Sequence, residues 1–212
     1  MTKRLLIIQG HPDPQGRRFG HALASAYLDG AQSAGHEVKL IELAKLSFPL
    51  LRSAQEFYEG PAPKDIQYAQ REIHWAHHIV FVFPIWHGHI PALLHAFLEQ
   101  TFRPGFSVRI CDNGKPEKLL TGRTASLMVT MGMPAFIYRW YFGVHSLKNL
   151  KRNIFNFSGI RLVKTTLIGR LGFGEVSDKS SHSSGRGFFA QLNAAQRARQ
   201  IRKVRVLGEN GL

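Results

Sequence analysis

The chain has 212 residues, 44% hydrophobic and 20% charged, which reads as one soluble globular domain over 1–212 with a sizeable core. A single cysteine, Cys111, excludes an internal disulfide and fits a reducing compartment. The 28 lysines and arginines against 14 acidic residues give a net charge of +14, a field that favours phosphate-bearing cofactors, membrane surfaces or nucleic acid.

The basic start Thr2-Lys3-Arg4 leads into Leu5-Leu6-Ile7-Ile8, a run too short for a signal-peptide core. No stretch approaches the ~18 apolar residues of a membrane span. A cytoplasmic protein is expected.

Lys3 to Gln9 predicts a first strand, ended by Gly10. Gly16 to Ala34 predicts an amphipathic helix with Phe19, Leu23, Ala26 and Tyr27 on one face, stopped by Gly35. Glu37 to Glu42 alternates apolar and polar residues, as a strand near a sheet edge does. Residues 44 to 64 carry Pro49, Gly60, Pro61 and Pro63 and predict a long ordered loop with a short helical piece. Asp65 is read as the cap of a helix to about His77.

His78 to Phe83 predicts a buried strand, and Pro91 to Phe102 a helix. Gly105 to Val108 and Asn113-Gly114 predict a small hairpin insertion. Arg123 to Thr130 is a fourth strand, Phe136 to Phe157 a helical region and Gly159 to Ile168 a fifth strand. Ser177 to Gly187 is rich in serine and glycine and reads as a flexible connection. Phe188 to Val206 is a last helix with Phe189, Leu192, Ala195 and Ile201 inward, and it carries the basic run RARQIRKVR. Alternation of strand and helix predicts an α/β fold: a doubly wound, five-stranded parallel sheet with helices on both faces, which matches the flavodoxin-like order 2-1-3-4-5 as well as any other doubly wound sheet.

In such a sheet, the loops after strands one, three and four meet at the crevice where strand order reverses. The first, GHPDPQGRRFGHA, opens a helix whose free N–H groups attract an anion. His11, Arg17 and Arg18 add donors and positive charge. This is neither a P-loop nor a GxGxxG loop, and an ordinary connection with exposed arginines is the plainer alternative. The second, PIWHGHIP, supplies Pro84, Ile85, Trp86 and His87, a lining for a flat ring system, although Trp86 could equally anchor the core. His87 and His89 lack carboxylate or cysteine companions at ligand spacing, so no metal site is expected. The third loop offers Thr130 and Gly132. Tyr138, Tyr141 and His145 follow at helical spacing and can share one face, the plainer alternative being a mixed aromatic helix packed on the core.

Several pieces in the same order carry a resemblance: GHPDP before a Phe-containing helix start, FPIWHGHIPALLHAFLEQTFRPGF, VTMGMP and FGVHSLKNLKRNIFNFSGI. Together they resemble the NAD(P)H dehydrogenase (quinone) family, the flavodoxin-like two-electron quinone reductases, over about residues 3–172. The C-terminal helix and basic tail, 186–212, fall outside it. The resemblance implies a flavin, FMN or FAD, with NAD(P)H as co-substrate and a quinone acceptor reduced by ping-pong hydride transfer.

It also implies that His11, Arg17, Arg18 and Phe19 match the flavin phosphate loop, with Arg18-Phe19-Gly20 where the family commonly has Ser-Phe-Asn. Pro84, Ile85, Trp86 and His87 match the loop along the ring, and Thr130 and Gly132 the loop at its polar edge. His145 matches the histidine near the flavin, with Tyr138 or Tyr141 as its partner. A homodimer with the pocket at its interface is implied, the 44–64 loop with Phe48, Phe57 and Tyr58 supplying part of it or covering its own core.

Azo or nitroaromatic reduction is the nearest enzymatic alternative. An ancillary flavoprotein docking on a membrane transporter through the basic surface is another. A nucleic-acid module is not visible.

Overall fold

The computed structural model describes residues 2–171 and 191–212. Five strands form one parallel sheet: β1 (Arg4–Gln9), β2 (Glu37–Glu42), β3 (His78–Pro84), β6 (Thr124–Thr130) and β7 (Arg161–Ile168), in the order β2-β1-β3-β6-β7. Counting only these five, the order is 2-1-3-4-5. The remaining two strands, β4 (Val108–Ile110) and β5 (Pro116–Lys118), make the antiparallel hairpin inserted before β6.

Strand chemistry explains the layering. β3 is buried along its whole length, as a central parallel strand covered on both faces must be. Alternate residues feed two cores. Leu6, Ile8, Phe81, Phe83, Leu127 and Val129 pack on one face, and Leu5, Ile7, Val80, Val82 and Met128 on the other. The outer strands β2 and β7 are mostly half-buried or exposed.

The second core is closed by α1 (Phe19–Ser33) and α8 (Ala194–Glu209), the most extensively packed helix pair in the fold. Two glycines let their backbones touch. A Cβ on Gly30 would lie 2.1 Å from the Arg205 carbonyl oxygen, and one on Gly208 would lie 2.2 Å from that of Tyr27. α8 opens with a capping box: the Asn193 side chain accepts from the Gln196 N–H, and the Gln196 side chain accepts from the Asn193 N–H. Its start therefore lies after the expected Phe188. Leu192 and Ile201 pack inward, but Ala195 is exposed, contrary to expectation. Phe188, Phe189 and the Ser177–Gly187 connection lie outside the described residues.

On the opposite face lie α2 (Ala54–Tyr58), α3 (Lys64–Trp75), α4 (Ala92–Thr101), α5 (Ala135–Trp140), α6 (His145–Asn149) and α7 (Asn156–Ser158). Asp65 does not cap α3. Pro63 holds that position, and Asp65 sits in the first turn, where its carboxylate accepts from the Ser47 N–H at 2.7 Å. The single helical region expected over 136–157 is divided. Gly143 (φ 59°) and Val144 (φ 48°) turn left-handed and end the first piece, and a π-helical stretch, Leu150–Phe155, joins α6 to α7.

Candidate active site

The first loop is braced by its own side chains. Gln9, buried at the end of β1, accepts from the His11 N–H at 2.8 Å. The Asp13 N–H donates to His11 Nδ1 at 3.0 Å, which puts the proton of the neutral ring on Nε2. Burial, then the neighbouring His21, pushes the His11 pKa down to about 4, so the ring is uncharged at pH 7. Asp13 also accepts from the Gln15 N–H, an Asx turn, and from Arg18 Nε at 2.8 Å. The Arg18 bond holds the Asp13 carboxyl below the usual range.

The chain then enters α1 at Arg18 with no side-chain cap and no acidic residue in the first turn. The leading N–H groups and the dipole are thus left to an anion. Phe19 is buried in the α1–α8 core, under the Arg197 guanidinium 6.0 Å from its ring centre.

The second loop is a tight hairpin at the end of β3. The Trp86 N–H donates to the His89 carbonyl at 2.9 Å and the His89 N–H to that of Trp86 at 2.8 Å. The two residues between them, His87 (φ 48°) and Gly88 (φ 77°), are both left-handed, the signature of a type I′ turn. Pro84 and Ile85 are buried, whereas Trp86 is 47% exposed and is no core anchor.

The third loop is tied to the second. The Ile85 N–H donates to the carbonyl of Thr130, whose side chain is buried, at 2.7 Å. Gly132 is exposed beyond it.

The three loops meet. The His11 ring stands edge-on to Trp86 at 5.8 Å, linking the first to the second. The Tyr138 hydroxyl, reaching back from α5, donates to the Gly88 carbonyl at 3.3 Å and links the third to the second. Tyr138 is fully buried, and burial raises its pKa.

The expected face shared by Tyr138, Tyr141 and His145 does not form. The left-handed break lies between them, and Tyr141 is 81% exposed beside Phe142 while Tyr138 is enclosed. His145 is exposed, its ring folded over Gly143: a Cβ there would lie 2.9 Å from Nε2. Among the described residues no hydrogen bond joins His145 to Tyr138.

Sequence reasoning passed over Asp13, Gln9, His21 and Ser146. Asp13 was legible as an Asx-turn residue between two prolines. The other three carried no local signal, because their role is tertiary: His21 reaches His11 with ring centres 5.3 Å apart, and Gln9 and Ser146 are buried.

The donor set fits a flat group with an anionic tail. The α1 start and the two arginines suit a phosphate, and the half-exposed Trp86 offers an aromatic face. Gln9 Nε2, beside Gly20, is a buried donor without a partner among the described residues. Two grooves, of about 500 and 490 Å³, flank α5 and run along β7.

Residues 3–186 match the family model described as the flavodoxin-like fold, and the chain belongs to that family. It is 31% identical over 180 residues, 82% of this chain and 87% of the relative, to a Haemophilus influenzae protein named an uncharacterized NAD(P)H oxidoreductase. Its fold is similar to that of an NAD(P)H:quinone oxidoreductase from Methanothermobacter marburgensis (17% identity, 99% of this chain and 96% of that one, TM-score 0.72). An FMN-dependent NADH-azoreductase from Bacillus anthracis, solved with FMN, is comparable (17% identity, 99% of each chain, TM-score 0.70). The protein is an oxidoreductase of the flavodoxin-like class. No helix among the described residues is long and apolar enough to cross a membrane.

Proposed function

We propose that this protein is a flavin-dependent NAD(P)H:quinone oxidoreductase. The observation that carries this reading is the meeting of three loops, through His11 on Trp86 and Tyr138 on Gly88, beside an uncapped helix start. A bound FMN or FAD would supply the two-electron chemistry between NAD(P)H and the acceptor.

The protein's part is binding and electrostatics. The first N–H groups of α1, with Arg17 and Arg18, hold the phosphate, and neutral His11 donates from Nε2. Phe19 anchors that helix start in the core. Pro84, Ile85, Trp86 and His87 form the wall along the ring, and Thr130 and Gly132 border its polar edge. Tyr138, whose hydroxyl is given to the Gly88 carbonyl, would hold the second loop against the third, and His145, exposed at the start of α6, would offer a donor to negative charge on the ring. Tyr141, exposed like His145, remains the other candidate for its partner.

The working unit is a cytoplasmic homodimer. Tyr58, exposed at the end of α2, is the residue of the 44–64 loop that would meet a second subunit, whereas Phe48 packs on its own core against Phe97. Reduction of azo compounds at the same site is the second reading, favoured by the azoreductase neighbour.

The test is a visible spectrum of purified protein, followed by titration with FMN and FAD separately. Flavin absorbance that co-purifies or is restored, and bleaches on anaerobic addition of NADH or NADPH, is expected. Protein that binds neither flavin refutes the assignment.

A further inference from the structure

Between Glu117 and Glu175 the sequence contains no acidic residue and nine lysines and arginines. The fold gathers much of this segment along one margin of the molecule, where α5, α6, the π-helical stretch and the edge strand β7 meet. The groove of about 490 Å³ between them has an apolar floor from Val144, Leu147, Leu162 and Leu167. Arg139, Lys148 and Lys151 stand at its wall, and none of them has an ion pair among the described residues. Trp140 is 85% exposed and Phe136 63% exposed, both lining the same groove.

We propose that this margin is a docking surface for an anionic lipid bilayer. Large aromatics set among lysines and arginines are the composition of an interfacial anchor: the rings enter the headgroup layer while the cations meet lipid phosphates. A second copy of the chain fits poorly, because a two-fold contact here would set basic groups against basic groups. Helix α8 is also basic, but its one exposed large apolar side chain is Val206, so charge alone acts there. The surface shares α5 with the candidate site: Trp140 faces water two residues from the buried Tyr138. If the proposed function holds, docking would bring the mouth of that site to the phase in which lipid-soluble quinones reside.

Flotation of the full-length protein with vesicles tests this without flavin. Binding to phosphatidylglycerol-containing vesicles, absent with pure phosphatidylcholine and weakened by salt, is expected. The triple variant R139E/K148E/K151E should lower the partition coefficient about a hundredfold or more, and Trp140→Ser about tenfold. R199E/R202E/K203E on α8 should leave most of the binding in place. Turnover of a water-soluble quinone should be unchanged in Trp140→Ser, which separates this surface from the site.

No binding at low salt overturns the proposal, as does binding that the α8 variant abolishes and the groove variants spare. Sedimentation showing that Trp140→Ser converts a dimer to a monomer also overturns it, since the face would then be a subunit contact. So would vesicle binding that survives all these changes.

Discussion

The two ends of the sheet use the same residue types for opposite purposes. At the amino end, histidines and arginines are tied into the scaffold. The Lys3 N–H donates to His36 Nδ1, the Arg4 N–H to His77 Nδ1, and Arg123 to the carbonyls of Ile73 and His74. His78, buried, meets the Thr124 hydroxyl at 2.7 Å. At the carboxyl end, the α1 start is uncapped, Trp86 is half in solvent, and His87 sits in a left-handed turn. Polar groups satisfied by backbone build structure; polar groups held in place but left unpaired are available to a ligand.

Four experiments press on that contrast. The largest effect is expected at the amino end. Burial pushes the His78 pKa down to about 4, against 6.5 for a free histidine. Between those values the unfolded chain binds the extra proton, so stability falls as pH drops from 6.5 to 4 and is unaffected above that window. The shift corresponds to at most about 3 kcal/mol. His11 acts in the same direction but less, being only half buried. Urea unfolding of His78→Phe should show a flatter acid limb than the parent; an identical limb would assign the acid sensitivity elsewhere.

At the carboxyl end, His145→Ala should slow flavin reduction by NAD(P)H about a hundredfold with flavin affinity and thermal midpoint little changed. Stopped-flow traces that match the parent would remove His145 from the chemistry. Arg18→Ala comes next. Flavin nucleotide affinity should fall about tenfold, roughly 1.4 kcal/mol, while stability hardly moves, because its ion pair with Asp13 is partly exposed. Equal loss of riboflavin and FMN affinity would mean that Arg18 does not meet the phosphate. The smallest effect is at the hairpin: Gly88→Ala forces a side chain into a left-handed residue and should cost about 1 kcal/mol. A midpoint unchanged in thermal unfolding would show that the turn relaxes.

The loops could be located from sequence because each follows an apolar run that can only be a strand. The division of the 136–157 helix could not. Its apolar spacing is continuous, and Val144 is a poor candidate for a left-handed residue; the break is seen only in the fold, where the Val144 N–H turns back to the Tyr138 carbonyl. The same holds for Asp65, which looks like a cap but serves Ser47 eighteen residues away.

The sequence by itself determined the parallel doubly wound class, the two-faced core and the identity of the three loops, because apolar runs and strand–helix alternation are local properties of the chain, whereas the strand order was settled by the tertiary structure. Tertiary structure alone decided which of 11 histidines are scaffold and which stand at the crevice. It also separated buried Tyr138 from solvated Tyr141 and gathered a stretch without acidic residues beside an exposed tryptophan. The physical reason is the same in each case: the state of a polar or aromatic group is set by what lies against it, and those neighbours come from distant parts of the chain.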